Sequence, residues 1–373
     1  MANAAEEEWK VLAGLFPEGW REQAQQTGAI KRQRGITDPE SLLRLFLLHV
    51  ARGYSLRETV VRAKETGLAA ISDVGLLKRL RRSEEWLHWL CMRLVQENGV
   101  RMPGGEQRAV RIVDGTIVKE PGKTGSQWRL VYSIRLPDLR CDYFDLTTNT
   151  GAGNGESWTR VPVAKHDLML ADAGYSSAPG VHWVVSQGAD VLVRINPQSF
   201  PIQTKTGRGL DLLSHLQKLE TAGKVREWRV RLPGGIEGRV CAVRKSEEAI
   251  RKAHRRIERR ASKKQIQTKA ETWEYAKWEY AKYVAVFTTD LSTATKTILE
   301  WYRVRWQIEL TFKRLKSLAK LGHLPKYDAQ SSRAWLYAKV FVALLTQKLV
   351  RTGRELSPWG YIFDERSSTQ RMA

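Results

Sequence analysis

Cysteine is scarce in this chain, long apolar runs are missing, and acid is short relative to base. The thiols are Cys91, Cys141 and Cys241, far apart and odd in number, with no C-x-x-C pair. That spacing excludes a thiolate zinc site and a disulfide framework. Few scattered thiols suit a reducing compartment, so a cytoplasmic location is expected. The best apolar stretches, 42–50 and 340–345, are too short to span a bilayer, and Arg44 interrupts the first. The opening MANAAEEEWK is acidic where a secretion signal is basic. No membrane attachment is expected. Against 40 Asp and Glu stand 62 Lys and Arg, a net charge of +22. A chain this basic attracts polyanions, which makes nucleic acid the first partner to consider; a merely basic protein is the alternative. At 373 residues, 42% hydrophobic and 27% charged, it has the length for two or three domains and the composition of a globular protein.

Residues 1–105 read as helical. Asp38-Pro39 starts a helix whose core face is Leu42, Leu43, Leu45, Phe46, Leu47 and Val50. Ser55, with Glu58 three residues on, has the pattern of a capping box opening a second helix to about Lys64. Asp73 is expected to cap a third, which carries Lys78, Arg79, Arg81 and Arg82. Two short helices with the second one basic resemble a helix-turn-helix, whose second helix enters the major groove. A helical bundle with its bases facing solvent is the alternative.

From about residue 107 the pattern changes to short apolar strands at 109–114, 128–136, 140–148, 168–172 and 189–195, with a helix near 179–187. Strands alternating with helices predict an α/β architecture around a mixed sheet. Between 197 and 283, strands near 228–232 and 238–243 flank Pro233-Gly234-Gly235, and a long basic helix follows. Arg251, Lys252, Arg255, Arg256, Arg259, Arg260, Lys263 and Lys264 recur in pairs every four residues, which keeps them on one side of a helix. Such a stripe matches a phosphate backbone; a solvated face is the plainer reading. The five residues 273–277 repeat at once as 278–282, a duplication with no evident function. After a strand at 283–289, Ser292 is expected to cap one helix running through Glu309 to about Lys320. A last helix near 329–351 has an apolar stripe of Trp335, Val340, Leu344 and Leu345, followed by a loose tail.

The segment WYRVRWQIELTFKRLKS, 301–317, places Tyr302, Arg305, Glu309 and Lys316 at helical offsets that share one face. That face holds a single acid among bases and a ring, which suits a carboxylate beside a phosphate backbone. Asp114 in VDGT and Asp172 in LADAGY end apolar strands, where side chains meet a cleft, and a following glycine lets a substrate approach. Two strand-end aspartates and a helical glutamate form a ligand set for two hard divalent ions. Asp138, Asp142 and Asp145 read as exposed strand or turn positions, Glu156 as a residue supporting the three acids, and His166 as structural.

The spacing of Tyr302, Arg305, Glu309 and Lys316 resembles the Y-R-E-K signature of the IS4-type DDE transposases, and the likeness spans roughly residues 30–350. It implies an RNase H-like mixed sheet flanked by helices, with an α-helical DNA-binding domain at 1–105 and a catalytic core at 106–196 and 284–327. It also implies a β-rich insertion at 197–283 and a C-terminal helix and tail at 328–373 for dimerisation. Asp114, Asp172 and Glu309 become the catalytic and metal-binding triad for two Mg²⁺ ions, with Mn²⁺ able to substitute. Tyr302, Arg305 and Lys316 become phosphate contacts. The implied reaction is a nick at the element's end, hairpin formation, hairpin opening and strand transfer. The partners are double-stranded DNA, as terminal inverted repeats and target, and a second copy of the chain on that DNA. Trp228 and Trp273 are candidates to hold an unstacked base. The tail after Thr352 is short for a dimerising chain, as in a truncated copy. An inactive, transposase-derived DNA-binding repressor and a related RNase H-like nuclease remain alternatives.

Overall fold

In the computed structural model, residues 2–31, 35–36, 38–97, 108–119, 127–136, 139–148, 155–264, 271–317, 320–321, 324 and 328–356 are described. The 3.6-residue apolar periodicity of the N-terminal part folds into α1 (Ala2–Ala13), α2 (Trp20–Gln26), α3 (Pro39–Val50), α4 (Leu56–Glu65), α5 (Asp73–Arg82) and α6 (Glu84–Glu97). Two helix starts follow their sequence signals. Asp38 accepts from the Ser41 amide at 2.7 Å, and Ser55 from the Glu58 amide at 3.1 Å. The third differs by one position: Ser72 caps α5 by accepting from the Gly75 amide, and Asp73 is the first helical residue. A hydroxyl one residue upstream competes for the same free amides.

The strands are β1 (Val110–Lys119), β2 (Gln127–Arg135), β3 (Arg140–Thr148), β4 (Leu168–Ala171), β5 (Asp190–Arg194), β6 (Val225–Arg231), β7 (Glu237–Arg244) and β8 (Tyr283–Thr288). They form one sheet in the order β3-β2-β1-β4-β5-β8-β7-β6. β1, β2 and β3 run antiparallel, and β4 and β5 are parallel to β1. This is an RNase H-like core. β8 pairs antiparallel with both β5 and β7, so the β6–β7 hairpin continues the same sheet.

Alternation along the strands fills two cores. Leu168 and Leu170 face the helical side, and Met169 and Ala171 face the other. Burial on both faces explains why β4 reads as an unbroken apolar run rather than an alternating one. α7 (Ala178–Ser186) and α8 (Leu212–Gln217) contribute to the second core, and α9 (Glu247–Lys264) and α10 (Glu271–Tyr280) lie between β7 and β8 in the chain. The expected single helix through Glu309 is two: α11 (Thr295–Val304) and α12 (Trp306–Ser317). Arg305 sits between them, where i to i+3 bonds from the Arg305 amide to Tyr302 and from the Ile308 amide to Arg305 tighten the chain locally. Ser292 does not cap α11. Its amide and hydroxyl both bond Asp290, which organises the turn before the helix. α12 lies across β1. α13 (Ala329–Leu356) packs against α6, α3 and α5, which covers its apolar stripe within the chain.

Candidate active site

Asp114 is not at a strand end. It lies within β1, paired in register with Tyr132 of β2, because the strand continues through Gly115 to Lys119. Strand alternation puts it opposite in sense to its neighbour Val113 and on the side of α12. Asp172 directly follows β4 and opens a short turn, where its Oδ1 accepts from the Gly174 amide at 2.8 Å. β1 and β4 are adjacent and parallel, so the two aspartates share one end of the sheet. Burial, and then the charge of Asp172, push the Asp114 carboxyl up to about 7. The Gly115 amide and the Arg305 guanidinium pull against that rise.

Arg305 is brought close to both outer acids. Its Nη1 stands 3.8 Å from Asp114 Oδ2, and its Nη2 hydrogen-bonds Glu309. The Glu309 side chain is more than half exposed, whereas Arg305 and Asp114 are mostly covered. Tyr302 is buried, with the Arg305 guanidinium 5.9 Å from its ring, so it supports the guanidinium instead of presenting its face to solvent. Lys316 is exposed and shares with Glu309 a groove of about 520 Å³ that Phe312, Lys313 and Ser317 also line. Trp306, beside Arg305, is 45% exposed. That exposed indole was legible only as another tryptophan in the sequence.

Three further residues face the aspartates. Glu156 Oε1 accepts from Arg129 Nη1 at 3.2 Å, and burial together with the Asp172 charge raises its carboxyl. Tyr175 is buried, and its hydroxyl has no hydrogen-bond partner among the described residues. Burial and the charges of Asp114, Glu156 and Asp172 push that phenol up. Arg129 and Tyr175 carry no sequence signal, since a strand arginine and a tyrosine after a strand are common.

The other expected residues scatter. Lys78 and Arg82 are exposed on α5, but Arg79 is buried and bonds the Ala29 carbonyl, so it faces the bundle. Arg81 pairs with Asp328 at 2.8 Å. Arg255, Arg256 and Arg259 are exposed along α9; the side chain of Arg260 lies outside the described residues, as does that of Trp273. Trp228 is half-buried and packs edge-on against His215. Asp142, expected at the surface, is buried and pairs with Arg111 at 2.6 Å; Asp138 lies outside the described residues. His166 is exposed in a positive-φ turn. The tail from 357 onward also lies outside them.

The donor set suits a hard cation. No three acids, histidines or cysteines among the described residues enclose an ion by themselves, and Glu309 is engaged by Arg305. Magnesium needs only one or two protein carboxylates and completes its shell with water and phosphate oxygens. Asp114 and Asp172, with the orphaned Tyr175 hydroxyl beside them, fit that habit.

A sheet of this order with paired acids at one end marks an RNase H-like enzyme of the kind that works on phosphodiesters. The comparison with known families narrows the class. The Transposase DDE domain family matches residues 154–345, just over half of the chain, and the chain belongs to that family. It is a DDE transposase, and divalent-metal chemistry comes with the family. Asp114 lies upstream of the matched span. The chain is also similar to the putative transposase InsL for insertion sequence element IS186A of Escherichia coli K12. The two are 28% identical over 369 residues, which cover 95% of this chain and 97% of that protein. It shows the same identity and coverage, over 370 residues, to the transposase for insertion sequence element IS421 of Escherichia coli. No helix among the described residues is long and apolar enough to cross a membrane.

Proposed function

We propose that this chain cuts and joins DNA at the ends of an insertion sequence, with Asp114, Asp172 and Glu309 as its catalytic, metal-binding acids. The observation that carries the reading is the apposition of Asp114 in β1 and Asp172 just after the adjacent parallel β4, with Arg305 before α12 placed between Asp114 and Glu309. Two Mg²⁺ ions, or Mn²⁺ in their place, would supply Lewis-acid activation of a water or 3′-hydroxyl and offset charge on the leaving oxygen. Arg305 offers a bidentate fork and Lys316 a point charge for the phosphates next to the scissile bond. Trp306, exposed beside them, suits an unstacked base at a hairpin better than Trp228, whose ring is already packed. Lys78, Arg82 and the exposed arginines of α9 would hold flanking duplex. The division into a helical DNA-binding domain, a split core, an insertion and a C-terminal dimerisation segment belongs to the same proposal, as does a DNA-induced homodimer. Because the stripe of α13 is covered, such a dimer would use its last turns, where Leu349 and Val350 are exposed. A cytoplasmic, nucleoid-associated site of action follows from the DNA partner.

A DNA-binding protein without catalysis is the second reading, and the Arg305–Glu309 bond favours it by engaging the third acid. Cleavage of DNA carrying the gene's flanking inverted repeats, with Mg²⁺ or Mn²⁺, separates the two. Metal-dependent nicking and hairpin formation, lost in Glu309→Gln, support the transposase. Repeat-specific binding without cleavage by either protein supports the repressor.

A further inference from the structure

Glycine at 174 leaves room for a carboxylate. A β-carbon built there would overlap Glu156 Oε2 and stand 3.1 Å from Asp172 Oδ1. The two acids therefore converge on one point above the Gly174 backbone. Glu156 is fixed there from behind, because Arg129 holds its other oxygen, and Arg129 in turn lies against Gly115, where a β-carbon would meet Nη1 at 3.2 Å. The glycine after each catalytic aspartate thus makes space for one half of the Arg129–Glu156 pair. The Arg129 guanidinium hydrogen-bonds Glu156 at Oε1, while Oε2 is the oxygen that lies over Gly174. Two carboxylates facing one another in a partly dry site repel unless a proton or a cation lies between them. A second, independent observation points into the same space. Tyr175, 1% exposed, has a buried hydroxyl without a partner, and the charges that act on it are Asp114, Glu156 and Asp172.

We propose that Glu156 is a fourth carboxylate of the centre, which would hold a divalent cation together with Asp172, with the unpartnered Tyr175 hydroxyl as a third polar group for that site. The proposal rests on the reading of Asp114 and Asp172 as metal-binding acids. It assigns Glu156 a direct ligand role where the sequence offered only support, and it gives Gly174 and Gly115 a reason to lack side chains.

The test is Mn²⁺ titration of the full-length chain without DNA, with the free ion followed by electron paramagnetic resonance. Glu156→Gln keeps the shape and is expected to weaken Mn²⁺ binding about tenfold or more, the usual effect of losing a group around a metal site. Gly174→Ala leaves the acid in the chain but displaces it, and is expected to lose binding to a similar degree. Glu156→Asp keeps the charge, withdraws the oxygen by one methylene, and serves if Glu156→Gln does not fold. Titration of Glu156→Gln and Glu156→Asp within twofold of the parent, with Asp172→Asn weakened, overturns the Glu156 assignment and leaves the acid pair standing. A parent that binds no Mn²⁺ overturns both.

Discussion

The Arg305 guanidinium donates to the Glu309 carboxylate one helical turn on, and this bond sets the resting position of the third acid. The same group lies 3.8 Å from Asp114, so one cation bridges two of the three acids. A metal-loaded centre would need Glu309 to leave the guanidinium, freeing Arg305 for phosphate. Arg305→Ala is therefore expected to lower single-turnover cleavage by about a hundredfold or more, the scale of losing one charge-stabilising donor. Arg305→Lys should restore little, because a point charge cannot replace a two-pronged donor. Full activity in Arg305→Lys would show that only the charge matters.

Asp114 makes the metal-free fold sensitive to pH. Its carboxyl is raised from an ordinary 3.8 to about 7, so between those values the folded chain keeps a proton that the unfolded chain has released. Stability contributed by the protonated form is present below about pH 4 and is lost as pH climbs through 7. The full effect is on the order of 1–4 kcal/mol. In EDTA, Asp114→Asn should melt higher than the parent at pH 8 and equal to it near pH 4. Saturating Mg²⁺ should raise the parent by more than the variant, which keeps Asp172 and Glu156. Parallel melting curves across that range would remove Asp114 as the group responsible.

Arg111 holds the sheet's interior by charge. Its guanidinium is buried, 2.6 Å from Asp142 and 3.2 Å from Asp167, both also buried. Removing it strands two carboxylates. Arg111→Ala is expected to cost about 3–5 kcal/mol in urea unfolding, as for other broken buried pairs. A loss below about 1 kcal/mol would mean that water reaches the site.

The arginines of α9 are tested by salt. Replacing Arg255, Arg256 and Arg259 with alanine should weaken binding to repeat and random duplex alike. It should also reduce the slope of log affinity against log salt by about 0.9 for each phosphate that is no longer neutralised. An unchanged slope would return α9 to a solvated face.

Much of this was legible in the sequence because it is local. β3 occupies the expected 140–148, the basic helix and the strand before Asp172 lie where the pattern puts them, and Ser55 and Asp38 cap as their spacing says. What was hidden depends on partners distant in the chain. The glycine after Asp114 reads as a stop, yet pairing with β2 on one side carries β1 straight through it. Arg79 looks like its basic neighbours until Ala29, fifty residues away, claims it. The tightening at Arg305 leaves no mark in residues that all favour helix. Glu156 follows a glycine-rich loop, and only the folded chain brings it over Gly174.

The ladder from β3 to β6 has a mechanical consequence. β8 is hydrogen-bonded to β5 on one edge and β7 on the other, so the strands beside the acids and the hairpin beyond them form one twisted beam. A beam of continuous backbone bonds transmits rotation without a hinge. The β6–β7 hairpin is thereby held at a fixed orientation to the strands beside Asp114 and Asp172, through β5 and β8.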